Sequence, residues 1–189
     1  MRRAAGALGV AVLITVSAVS SRASAQRVSR YSVDATVGVG LLQTKAQYSA
    51  RDDGGLAGEL ALSRRVHSAR AGGLVASVNA GYYYMIGGGD VCTLYPPHDR
   101  CAPQTPDMRL VGMLSGWESR AGTFRALGGV AYAHPPSGGG AVAIQARLEA
   151  AVGIVRHVAL TASVRPVVVP SYRGDTFRLL GIGLGVRIR

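Results

Sequence analysis

The sequence predicts an all-β chain: an eight-stranded antiparallel up-and-down transmembrane β-barrel behind a cleaved N-terminal signal peptide. Three observations predict it. Apolar residues recur with a period of two in eight separate segments, as half-buried strands require. The connections between those segments are longer and shorter by turns. The chain is also apolar overall, with 16% charged residues and a mean hydropathy of +0.22, against roughly a quarter charged in an ordinary soluble domain. After residue 26 it holds no apolar run of about 18 residues, so membrane insertion of that part has to use strands.

The signal reading rests on residues 1–25. Arg2 and Arg3 form a basic start, Ala4 to Ser20 is apolar apart from small hydroxyl residues, and Ala23-Ser24-Ala25 supplies a small-residue cleavage site. An uncleaved helical anchor is the alternative, and the shortness of the run argues against it. Residues 26–189 are then the barrel domain.

The strands follow in order. The first, about 31–43, sets Tyr31, Val33, Ala35, Val37, Val39 and Leu41 against Ser32, Asp34, Thr36, Gly38 and Gly40. The second, about 55–67, sets Leu56, Leu60, Leu62 and Val66 against Ala57, Glu59, Ala61 and Ser63. The third, about 73–86, opposes Leu74, Ala76, Val78, Ala80, Tyr82 and Tyr84 to Ser77, Asn79, Gly81 and Tyr83. The fourth, about 107–117, opposes Met108, Leu110, Gly112 and Leu114 to Arg109, Val111, Met113 and Ser115.

The fifth, about 122–133, places Phe124, Ala126, Val130 and Tyr132 opposite Thr123, Arg125 and Gly129. The sixth, about 141–155, alternates most regularly: Val142, Ile144, Leu148, Val152 and Ile154 face away from Gln145, Arg147, Glu149 and Gly153. The seventh, about 158–169, opposes Val158, Leu160, Ala162 and Val164 to Thr161, Ser163 and Arg165. The eighth, about 176–188, opposes Leu180, Ile182, Leu184, Val186 and Ile188 to Gly181, Gly183, Gly185 and Arg187.

The connections at about 44–54, 87–106, 134–140 and 170–175 read as external loops. Those at about 68–72, 118–121 and 156–157 read as periplasmic turns, with both termini on the periplasmic side. Tyr31, Trp117 and Phe124 then fall at one membrane interface, and Tyr82, Tyr84, Tyr132 and Phe177 at the other. Trp117 and Phe177 sit on the inward parity in this assignment.

The second face of each strand decides between lipid and water as the outer solvent. A water-soluble barrel carrying an apolar ligand, lipocalin-like and periplasmic, needs frequent Lys, Glu and Asp outside. Here the second face is Gly, Ala, Ser and Thr with a few charges, which suits the narrow lumen of an eight-stranded barrel. Asp34, Glu59, Arg109, Arg125, Arg147, Glu149 and Arg165 are therefore expected inside, where buried charges must pair. Arg64 departs from the apolar outer face near a strand end, where a long side chain reaches the interface.

On these features (export signal, strand number, loop alternation, alternating last strand) the chain resembles the small eight-stranded outer-membrane barrels. These are the transmembrane domains of outer-membrane protein A, their X-type relatives and the opacity-like surface proteins. The resemblance covers about residues 27–189 and implies a bacterial outer-membrane location, lipid neighbours and insertion by the barrel-assembly machinery. Members typically finish on an aromatic residue, whereas this chain finishes Val186-Arg187-Ile188-Arg189.

Searching for chemistry gives little. The net charge of +11 falls to +8 once Arg2, Arg3 and Arg22 leave with the signal. Export and the scatter of the arginines argue against nucleic acid as a partner. His67, His98, His134 and His157 all fall in turns or loops, and the Ser137 near His134 lacks an acid beside it, so a lipid-modifying active site is not expected. We expect no catalytic set, metal or cofactor. Cys92 and Cys101 flank a Pro-rich stretch and read as a disulfide in an exported chain. Their loop, 87–106, is the longest connection, and Tyr95, His98 and Arg100 are its candidates for binding an extracellular ligand. A structural or surface-binding barrel is the first reading, and a narrow, anion-leaning, porin-like channel the second.

Overall fold

The computed structural model describes residues 30–45, 50–86, 91–93, 100–102, 107–134, 139–172 and 175–189. The proposed signal segment lies outside them. Among the described residues ten strands occur: β1 (Tyr31–Lys45), β2 (Ala50–Ser68), β3 (Gly72–Ile86), β4 (Val91–Thr93), β5 (Arg100–Ala102), β6 (Asp107–Ser119), β7 (Phe124–His134), β8 (Ala141–Val155), β9 (Val158–Tyr172) and β10 (Asp175–Ile188). Eight close into one antiparallel barrel in the order β1-β10-β9-β8-β7-β6-β3-β2, and β4 pairs with β5 as a separate hairpin. The eight barrel strands are those the period-two pattern marks out.

The start of β1, the end of β10 and the turns 69–71, 120–123 and 156–157 lie at one end of the barrel, called here the terminal end. The remaining connections lie at the other, the loop end. Two of these are shorter than the sequence suggests. β1 and β2 run on to pair Lys45 with Ala50, and β9 and β10 run on to pair Tyr172 with Asp175. Polar residues on both faces hide such extensions from a periodicity search, because a hairpin beyond the barrel body has no face to bury.

The outer wall is apolar. Val142, Ile144 and Leu148 of β8 point outward, 66%, 60% and 50% exposed. Their neighbours on the other strands do the same, including Val37, Leu60, Val78, Val130, Leu160 and Leu184. A water-soluble carrier would bury this face, so the lipocalin-like alternative does not describe this barrel. Aromatic side chains sit near both rims of the wall: Tyr31, Trp117 and Phe124 at the terminal end, Tyr82, Tyr84 and Tyr132 at the loop end. The Trp117 and Phe124 ring centroids are 6.3 Å apart.

β6 corrects the expectation. Its parity is the reverse of the one assigned from sequence: Met108, Leu110, Leu114 and Glu118 are buried in the lumen, while Arg109, Val111, Met113 and Trp117 face out. Trp117 thereby joins the outer aromatics. Phe177, in contrast, keeps the inward parity and is buried.

The seam between β1 and β10 is close. Gly38 lies opposite Gly183, and a Cβ on Gly38 would come 2.0 Å from the Ile182 carbonyl oxygen. Around Tyr83 the glycines have another use. Cβ atoms at Gly81 and Gly181 would press on the Tyr83 ring at 3.2 and 3.4 Å, so their absence seats that side chain in the lumen.

Candidate functional site

The lumen has two layers. Nearer the terminal end it holds a chain of alternating charges. Arg65 meets Glu118, with Nε 3.0 Å from Oε2. Glu118 accepts from Arg125 at 2.8 Å, and Arg125 donates to Asp34 at 3.0 Å. Asp34 accepts from Arg187 at 2.6 Å. Arg187 pairs with Glu149, and Glu149 with Arg147. Arg147 donates to Glu59 at 3.0 Å, and Glu59 meets Arg165 at 2.6 Å. Five arginines alternate with four carboxylates, so every acid has an arginine on each side. A further approach of 3.7 Å between Arg187 and Glu118 closes part of the chain into a ring.

This arrangement follows from closure. The nine residues come from β1, β2, β6, β7, β8, β9 and β10, all on inward positions of strands that meet only when the sheet curls shut. Buried charges cost several kcal/mol each unless paired and hydrogen-bonded. Hydroxyls supply some further partners: Arg125 donates to Ser32 at 2.9 Å, and Arg147 lies 3.4 Å from Thr36. Gln145 donates to the Val130 carbonyl at 3.0 Å and accepts from Arg165.

At the terminal mouth the network is tied to a turn. Gly122, at φ 68°, adopts a backbone conformation that favours glycine. Its carbonyl accepts from Arg187 at 3.2 Å and from Arg189 at 2.7 Å. The end of β10 is thus fastened across to the β6–β7 turn, and the Arg189 amide adds a bond to the His157 carbonyl at 2.9 Å.

Nearer the loop end the lumen is apolar. Leu42, Met108, Leu110, Val167, Val169, Phe177 and Leu179 form one cluster with Tyr83. A cavity of about 20 Å³ remains beside Glu59, Tyr83, Ser163 and Arg165, room for about one water.

Of the seven residues expected in the lumen, Asp34, Glu59, Arg125, Arg147, Glu149 and Arg165 meet there. Arg109 does not: its side chain is 68% exposed on the outer wall, 3.2 Å from Asp107. An inward Arg109 would enter the apolar layer without a carboxylate, whereas outward and near the rim it reaches the interface. Arg65 and Glu118 are lumen members the sequence pattern did not mark, and Arg187, on the inward face of the eighth strand, joins them as a further lumen charge. Glu118 beside Trp117 carries the missed signal. A strand that ends on Trp-Glu in a lipid-facing barrel has one parity that puts the ring outside and the acid inside.

In the longest connection, β4 and β5 place Cys92 opposite Cys101. Antiparallel partners have Cα atoms about 4.5–5.5 Å apart, within the span of a disulfide. Tyr95 and His98 lie outside the described residues, and of Arg100 only the backbone in β5 is described. His134 is exposed on the outer face at the end of β7, and Ser137 lies outside the described residues. Among the described residues no group of three or more His, Cys, Asp or Glu gathers as a metal site.

No family model matches the chain, and no curated protein sequence matches it. Solved structures do. Neisserial surface protein A aligns with a TM-score of 0.57 at 12% identity, over 85% of this chain and 97% of that one. Ail of Yersinia pestis aligns at 0.45 and 12% identity over 85% and 100% of the two chains. The outer membrane protein OprG of Pseudomonas aeruginosa aligns at 0.44 and 10% over 88% and 100%. The first of these likenesses shows the fold alone, in keeping with the closed barrel of eight strands described above.

Proposed function

We propose that this chain is a bacterial outer-membrane β-barrel with a structural or surface-binding role and no conducting lumen. The observation that carries the reading is the pairing of an apolar outer wall with a filled interior. The wall calls for lipid as its solvent. The lumen holds an ion-paired layer and an apolar layer, as suits an eight-stranded barrel whose interior is just wide enough for side chains to fill. In this reading the terminal end is periplasmic and the loop end is external.

Single-channel recording in planar bilayers tests it. The inserted barrel is expected to show no steady conductance. Sustained openings would overturn the reading in favour of the narrow anion channel that an arginine surplus in the lumen suggests.

Ligand binding is assigned to the 87–106 connection, where a Cys92–Cys101 disulfide holds the β4–β5 hairpin. Neither cysteine of the exported protein is expected to react with a thiol-alkylating reagent until a reductant is added. Modification of both without reductant, read by mass spectrometry, would remove the disulfide from the proposal.

A further inference from the structure

We infer that the terminal end carries a basic collar that binds the headgroups of anionic phospholipids in the leaflet around it. The inference rests on the membrane reading above and adds the lipid class and the residues.

The collar is built from the turns. Arg70 lies in the β2–β3 turn, Arg120 in the β6–β7 turn and Arg156 in the β8–β9 turn; Arg30 precedes β1, and Arg64 stands near the end of β2. All five are exposed. Among the described residues Arg70, Arg120 and Arg156 have no acidic partner. Arg64 lies over the outward Tyr31 ring at 5.6 Å, at the rim where Trp117 and Phe124 also face out.

The acids are elsewhere. Asp34, Glu59, Glu118 and Glu149 are committed to the lumen. The other six acids of the sequence fall at 45–53, 90–109 and 173–178, in or beside the loop-end connections, where six basic residues accompany them. Residues 1–29 contain no Asp or Glu. The loop end is therefore balanced, and the barrel's surplus positive charge stands at the terminal end.

The distribution selects the partner. Around the barrel the strands run β1-β2-β3-β6-β7-β8-β9-β10, so Arg30, Arg64, Arg70, Arg120 and Arg156 are spread about most of the rim. A protein docking on one side would need the charges gathered there. A ring at the height of outward aromatics meets a flat sheet of headgroups on all sides. Phosphatidylglycerol offers the phosphate charge that such arginines favour.

The test reconstitutes the full barrel in phosphatidylcholine vesicles containing phosphatidylglycerol and measures the lipids in contact with it by spin-label exchange. Protease protection reads insertion in parallel. The unaltered barrel should enrich phosphatidylglycerol about fivefold at low salt. In about 1 M salt, where the screening length falls to about 3 Å, the enrichment should fade. A triple variant, Arg70→Gln, Arg120→Gln and Arg156→Gln, should insert normally and lose most of it. An inserted barrel with no preference, or a triple variant with an undiminished one, overturns the collar alone. A barrel that stays in the aqueous phase overturns the membrane reading and the collar with it.

Discussion

Asp34→Ala is expected to cost the barrel about 3–5 kcal/mol, the range for breaking a buried ion pair by removing one partner. Asp34 holds both Arg125 and Arg187, and all three side chains are nearly inaccessible. Its loss leaves Arg187 facing Glu149 and a distant Glu118, and joins no new acid to Arg125. The penalty is chiefly the stranded charge. Asp34→Asn keeps an acceptor and should lose less. Adding Arg187→Met to Asp34→Ala should return about half of the loss, because the remaining pairs Arg65–Glu118–Arg125 and Glu149–Arg147–Glu59–Arg165 are each internally neutralised to within one charge. Equilibrium urea unfolding in lipid vesicles reads all three. A double variant as unstable as Asp34→Ala would show that the alternating chain is not what holds the lumen.

Leu148→Arg tests the wall. Leu148 stands mid-strand in β8, facing outward beside Ala126 of β7 and Val164 of β9. In a lipid-embedded barrel an arginine at the midplane costs about 2–4 kcal/mol, and one near the interface about 0–1. Val142→Arg, one residue into the same strand, should therefore cost far less than Leu148→Arg. The difference between the two positions is the diagnostic quantity, since propensity and charge are the same in both. If the wall faced water, both substitutions would be nearly neutral and the gradient would vanish.

Much of this was legible in the chain. Strands with one apolar and one small or polar face, such as β8 with Val142, Ile144 and Leu148 against Gln145, Arg147 and Glu149, declare both their limits and their orientation. β6 did not, because both its faces are apolar in the middle: Leu110 and Leu114 on one, Val111 and Met113 on the other. Hydropathy has no contrast to read there. Its ends hold the information, Arg109 and Trp117 on one parity and Met108 and Glu118 on the other, and these make sense only against the neighbours. Glu118 needs Arg65 and Arg125, while the inward positions near Arg109 belong to an apolar cluster.

The sequence by itself determined that the chain forms eight alternating strands, which residues share a face on most of them, and that lipid suits the outer face. Those properties are local, set by a two-residue repeat within each strand. The tertiary structure decided the parity of β6, the division of the lumen into a charged layer and an apolar plug, and the pairing of Asp34 with Arg125 and Arg187. Each depends on which strands become neighbours across a closed interior. Asp34 and Arg187 are 153 positions apart in the chain, and only the curl that pairs β1 with β10 brings them into contact. Closure also turns the arginines of the turns 69–71, 120–123 and 156–157 into a ring, because it bends the sheet edge that carries those turns into a circle.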